Sequence, residues 1–231
     1  MVISSQIDVK IDTKNVHRSI GYIADSQPQP RISALIEEYA AEAYHLIVPS
    51  YSFVIRDVEL VLGSRVFVQG SGDLISNLIV FQSEAIAQLL SECRRVALFV
   101  VTIGKYLEEM VCQLAEDGLM LQASVLDAIG SDAVGKVADF VEGVIKERAG
   151  ATGLCTSRRF SPGYCDWDIS QQGGVFRAVK GDSVGVHLTE SYMMVPQKSI
   201  SGLIGIGPSG GSLWDYNPCE TCSKSDCPGR R

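Results

Sequence analysis

The chain has 231 residues, 46% hydrophobic and 20% charged, a balance that builds one or two packed domains and argues against a disordered polymer. With 20 Lys and Arg against 27 Asp and Glu, the net charge of -7 argues against a basic face for gripping nucleic acid. The longest run without a charge, Ser199 to Trp214, is interrupted by five glycines, so nothing approaches the about 20 apolar residues of a membrane span.

Met1 to Lys10 carries Asp8 and lacks an apolar core, so it is not read as a secretory signal, and a cytoplasmic setting is expected. Beyond Pro28 and Pro30, apolar residues at Leu35, Ile36, Tyr39, Ala43 and Leu46 recur at helical spacing from Ile32 to Val48, and Pro49 ends the run. Tyr51 to Gln69 is rich in Val, Ile and Phe with Gly63-Ser64 at its centre, which predicts two strands joined by a turn. Gln82 to Arg95 returns to a helical pattern, and Val96 to Ile103 is a continuous apolar run of strand length, as expected for a strand buried on both faces. A helix is expected from Gly104 through Leu107, Val111 and Leu114 to Gly118. A longer one follows over Leu119 to Arg148, where small residues (Ala123, Ala128, Gly130, Ala133, Gly135, Ala138) predict close packing, and Gly150 and Gly153 close it. The last third changes texture. Arg158 to Gln172 is rich in turn residues, Val175 to Lys180 predicts a short helix, and Ser183 to Leu188 and Ser199 to Ile206 predict strands. These elements describe one α+β domain. Residues 1–80 supply an N-terminal helix and β-hairpin part, 81–211 a core, and 212–231 a cysteine-rich tail.

Cysteine is the unusual count. Seven is odd, and Cys93 and Cys112 sit in apolar, helix-like contexts, so reduced thiols fit better than a disulfide scaffold. Cys219, Cys222 and Cys227 crowd the C-terminus.

Gly205-Ile206-Gly207-Pro208-Ser209-Gly210 spells GxGxxG after an expected strand. A dinucleotide site needs those glycines to open a helix. Here Pro208, Gly211 and Pro218 intervene and no second strand follows, so that reading is rejected in favour of an exit loop. His17, His45 and His187 each lack a Cys or acid at ligand spacing, which favours ordinary structural histidines over a catalytic or metal site. Ser161-Pro162-Gly163-Tyr164 fits a type II turn, Pro pre-setting φ and Gly accepting φ > 0. Arg158 and Arg159 flank it, and an arginine fork suits a carboxylate, so an amino-acid-like ligand is a natural guest.

The R-x-x-P-G-Y run from Arg159 to Tyr164, followed about 25 residues on by L-T-E-S-x-x-M-x-P-x-x-S-x-S-G from Leu188 to Gly202, resembles the activation (reactivation) domain of cobalamin-dependent methionine synthase. The resemblance spans about Ala85 to Gly207 and is strongest after Arg158, as in a stand-alone version of that module. It implies a twisted, mainly antiparallel sheet packed with helices, a site for S-adenosylmethionine, and cobalamin carried by a partner. By the same resemblance Arg159 holds the ligand carboxylate, Tyr164 lines the site, and backbone groups of the turn from Ser161 through Gly163 to Tyr164 contact the adenosine part. Asp139 or Glu142 takes the amino group, and Glu190 belongs to the signature without an assigned contact. The implied partners are the cobalamin-binding protein of a methionine synthase or another corrinoid methyltransferase, and an electron donor, with neither nucleic acid nor membrane involved. The chain departs from the family after the tyrosine: Cys165-Asp166-Trp167-Asp168-Ile169 replaces P-A-C-P-[DE]-H, and its histidine is absent.

The tail spells Cys219-x2-Cys222-x4-Cys227. Three thiolates on one segment can wrap zinc or an iron–sulfur cluster if Cys155 or Cys165, near the ligand turn, supplies a fourth ligand. Free thiols are the alternative. The function the resemblance implies is S-adenosylmethionine binding that supports reductive methylation of cob(II)alamin on a partner. The rival is a non-catalytic S-adenosylmethionine sensor or a corrinoid-protein interaction module.

Overall fold

A computed structural model of the chain describes residues 7–22, 29–70, 78–208, 216, 217, 220 and 222. Its elements are α1 (Thr13–Ser19), α2 (Pro30–Leu46), β1 (Ser50–Leu62), β2 (Arg65–Val68), β3 (Ile79–Gln82), α3 (Glu84–Leu90), β4 (Arg95–Thr102), α4 (Tyr106–Glu116), α5 (Met120–Gly150), β5 (Leu154–Thr156), α6 (Gln172–Val179), β6 (His187–Leu188), β7 (Met194–Val195) and β8 (Ser199–Pro208). Six strands form one sheet in the order β3-β2-β1-β4-β8-β5, with antiparallel neighbours throughout. β6 and β7 make a separate small hairpin. The expected α+β architecture and antiparallel sheet are both present.

β4 lies at the sheet's centre, and its alternation explains the apolar run. Ala97, Phe99 and Val101 point into a core built with α1, α2, α4 and α5. Val96, Leu98 and Val100 point the other way, into a core built with α3 and α6. A strand covered on both faces has no solvent side on which to place polar residues. The sheet crosses both the 1–80 and 81–211 parts, and of the 212–231 tail only residues 216, 217, 220 and 222 are described.

α5 is 31 residues long, about 46 Å at 1.5 Å per residue. Its small residues do what close packing requires: Ala123, Ala128, Ala133 and Ala138 are buried. At Gly130 a Cβ would lie 2.6 Å from Leu107 Cδ2, so glycine leaves room for this side chain of α4.

The structure revises several expectations. The helix expected over Gln82 to Arg95 is shorter, because Gln82 belongs to edge strand β3 and Ser83 caps α3, its hydroxyl accepting from Ile86 N at 3.1 Å. Ser183 to Leu188 is not one strand. A 3-10 turn covers Gly181–Val184, Gly185 sits at φ 75°, and only His187–Leu188 pair as a strand. α6 begins three residues earlier than the sequence pattern suggests. α1, β3, β5 and β7 carry too little periodicity to announce themselves.

Candidate functional site

The site forms where the sheet's edge is incompletely covered. β5 pairs only with Ile206, Gly207 and Pro208 of β8. Further back along β8, Phe160 bridges Leu203 through backbone hydrogen bonds of 2.9 and 2.8 Å. Beyond that bridge Ser199, Ile200 and Ser201 open onto a pocket of about 630 Å³. Because outward-facing backbone groups alternate along a strand, the next such pair after Leu203 is that of Ser201.

One wall is a stripe of α5, Ser131, Gly135, Asp139 and Glu142, at helical spacing and about 16 Å long. Gly135 differs from the other small residues of α5. No atom lies within 4 Å of where its Cβ would be, and its smallness widens the pocket instead of admitting a neighbour. The second wall is the segment Arg158–Pro162 with Tyr164 and Ile169. Gln172 of α6, the β6–β7 hairpin through Tyr192, Met193 and Met194, and Asn217 complete it.

The Ser161–Tyr164 turn has the expected form. Tyr164 N donates to Ser161 O at 3.3 Å and Gly163 takes φ 93°. Gly202 lets it sit directly on β8, since a Cβ there would lie 2.5 Å from Phe160 O. Trp167, 1% exposed, stacks on Phe160 at 6.2 Å and meets Phe81 edge-on at 5.4 Å, which pins the turn to the α3–α6 core. Asp166 caps α3 from outside, accepting from the Ser83 hydroxyl at 2.6 Å, from Glu84 N and from Ala85 N at 3.3 Å. Burial pushes its carboxyl up, but these hydrogen bonds outweigh that and hold it below the ordinary range. Asp168 caps the 3-10 turn Ile169–Gln171 by accepting from Ser170 N at 2.8 Å, and the hydrogen bonds from Ser170 hold its carboxyl low too. The segment that departs from the family pattern therefore anchors the turn.

Arg159 Nη1 donates to Asp139 Oδ1 at 2.6 Å and to Glu142 Oε2 at 2.9 Å. The guanidinium is largely covered, whereas Asp139 is more than half exposed. One cation between two carboxylates on the pocket lining is the charge pattern that an α-amino acid can exchange into, its carboxylate on Arg159 and its ammonium on the acids.

Of the residues singled out from sequence, Arg159, Asp139, Glu142, Ser161 and Tyr164 meet on this pocket. Gly163 shapes the turn and is not among the lining residues, and Glu190 stands exposed in the β6–β7 turn, also off the lining. Gly205 and Gly207 belong to β8 and serve packing: a Cβ at Gly205 would lie 2.5 Å from Cys93 Sγ, and one at Gly207 2.9 Å from Glu92 O. Cys165 follows Tyr164 at φ 49°, half-buried like Cys222, whereas Cys219 and Cys227 lie outside the described residues. Among the described residues no three His, Cys, Asp or Glu side chains are grouped to hold a metal, and no helix is long and apolar enough to cross a membrane. Sequence reasoning missed Ser131, Gly135, Gln172 and Tyr192. The non-apolar stripe Ser131–Gly135–Asp139–Glu142 beside the buried face of α5 was the available signal.

Comparison with known proteins agrees with the resemblance read from the motifs. The family model described as "Vitamin B12 dependent methionine synthase, activation domain" matches residues 151–223. In fold the chain is similar to a solved structure, the MetH reactivation domain bound to AdoHcy, with a TM-score of 0.66 and 14% identity over 91% of this chain and 79% of that one. No curated protein matches the sequence.

Proposed function

We propose that this chain, with a methionine synthase activation-domain segment at residues 151–223 and the fold of a reactivation domain, binds S-adenosylmethionine and presents its methyl group to a corrinoid held by a partner. The observation that carries this reading is Arg159 bridging Asp139 and Glu142 in a pocket that Ser161, Pro162 and Tyr164 of the turn also line. The residues present fit the donor: a cation for its carboxylate, two acids for its ammonium, and aromatic and thioether side chains for the rest. When bound by the partner, the corrinoid supplies the cobalt that accepts the methyl group, with one electron from a separate donor. This chain contributes position. A pocket bordered by Ser199, Ile200 and Ser201 of β8 can grip the amino-acid end while leaving the sulfonium within reach of a docked partner.

Titration calorimetry with S-adenosylmethionine tests the reading. Arg159→Ala leaves two carboxylates without their cation and removes the carboxylate's partner, so binding is expected to weaken by about 2–5 kcal/mol. A parental protein that does not bind, or an Arg159→Ala variant that binds as well as the parent, ends the proposal. Transfer of a labelled methyl group to a reduced corrinoid protein separates catalytic support from sensing, because a sensor binds without transferring. For the tail, Cys219, Cys222 and Cys227 with Cys165 as fourth thiolate are the candidate ligands of zinc or an iron–sulfur cluster. Metal-free protein after anaerobic purification would end that assignment.

A further inference from the structure

Three described non-glycine residues hold positive φ, namely Cys165, Lys180 and Tyr192, and of these Tyr192 alone lines the pocket. A φ of 63° disfavours any side chain with a Cβ and persists only where the surroundings over-determine it. Here they do. Tyr192 N donates to Thr189 O at 3.0 Å, and its carbonyl accepts from Gln172 Nε2 at 2.7 Å. Gln172 is buried at 3% exposure, and its other amide atom, Oε1, accepts from Ser201 Oγ at 2.9 Å. One side chain thus ties the hairpin at the pocket's rim to the strand that forms its base. The Tyr192 ring lies against Gly173, whose missing Cβ would stand 3.5 Å from Cε1.

We propose that Tyr192 is a specificity-determining residue whose ring, with that of Tyr164, bounds the part of the pocket that receives the planar base of a nucleoside-bearing ligand, and that Gln172 is the positioning residue that holds it there. The inference rests on the S-adenosylmethionine reading above. Arg159, Asp139 and Glu142 line the pocket as one ion-paired group, and of the aromatic residues that line it, Phe160, Tyr164 and Tyr192, the two tyrosines are the exposed ones, at 41% and 39%. An aromatic ring offers a base a stacking face with little rotamer freedom to lose. An unstrained residue would serve if the hairpin only had to turn. A bulky ring kept at positive φ by two hydrogen bonds is explained by where the ring must be.

The test uses the full chain, with S-adenosylmethionine affinity from calorimetry and Tm from a thermal melt. Tyr192→Gly adopts the same φ freely, so Tm is expected to hold or rise while affinity falls at least about tenfold. Tyr192→Phe is expected to bind like the parent. Gln172→Ala keeps the ring but frees the hairpin, and is expected to reproduce most of the affinity loss of Tyr192→Gly. If the parent binds and Tyr192→Gly binds equally well, the inference fails and the function above stands. A Tyr192→Gly variant that loses affinity only in proportion to a fall in Tm shows a structural role and also overturns it. A Gln172→Ala variant with parental affinity removes the positioning role. A parent that binds no S-adenosylmethionine refutes the underlying function.

Discussion

Gly202→Ala tests whether the ligand turn is held in place by the absence of a side chain on β8. The added methyl would sit 2.5 Å from Phe160 O, 3.0 Å from Phe99 Cζ and 3.1 Å from Ser161 Oγ. The first contact is about 1 Å short of an ordinary one, and its partner is backbone that cannot swing aside like a side-chain tip. Relief requires the turn to lift, which strains the Phe160–Leu203 pair at 2.9 and 2.8 Å. Overpacking costs about 1–3 kcal/mol, and each weakened hydrogen bond about 0.5–1.5 kcal/mol, so the fold is expected to lose about 2–5 kcal/mol. For a chain of this length that lowers Tm by about 5–15 °C. Because Arg159 and Ser161 flank Phe160, a lift of this size also misplaces the ligand contacts, and S-adenosylmethionine affinity is expected to fall by up to about a hundredfold. Thermal melts and calorimetry read the two effects. The matched control is Gly143→Ala on α5, where no atom lies within 4 Å of the new Cβ, and a gain of about 0.5–1 kcal/mol is expected. A Gly202→Ala protein with parental Tm and parental affinity would refute the account of the turn.

Asp166→Asn is expected to cost about 1 kcal/mol at neutral pH by weakening the cap on α3. The Asp166 carboxyl is held low in the folded state, so its contribution is full above about pH 4 and disappears as pH falls through the folded value. Urea melts from neutral to acid should therefore show the parent losing its advantage over the variant at the acid end, and parallel curves would count against the cap. Gly205→Ala should destabilise by about 1–3 kcal/mol through its 2.5 Å approach to Cys93 Sγ. Adding Cys93→Ala removes that sulfur, so the double variant should be less destabilised than the sum of the singles by at least about 0.5 kcal/mol, and strict additivity would show that the sulfur is not the obstacle.

What the sequence made legible divides by the range of the interaction. β4 announced itself because both of its faces are buried, α5 because nothing interrupts it, and the β1–β2 turn because Gly63 holds φ 58°. The Arg159–Tyr164 turn was legible because Pro and Gly encode its geometry locally. The rest depends on partners distant in the chain. α3 begins where it does partly because Asp166 reaches it across 82 residues to the Glu84 amide. Tyr192 takes its conformation from Gln172, 20 residues away, and no periodicity in either segment records that. The glycines of the rejected GxGxxG match were conspicuous for a tertiary reason, the close approach of Glu92 and Cys93 to β8.

The pocket's composition divides the chain into two kinds of position. Apart from Leu89, every lining residue lies at or after Ser131, whereas α1, α2 and β1 to β3 contribute none. Among the described residues, a substitution in α1, α2 or β1 to β3 can therefore reach the pocket only through the packing of the sheet and α5, whereas one at or after Ser131 can touch it directly.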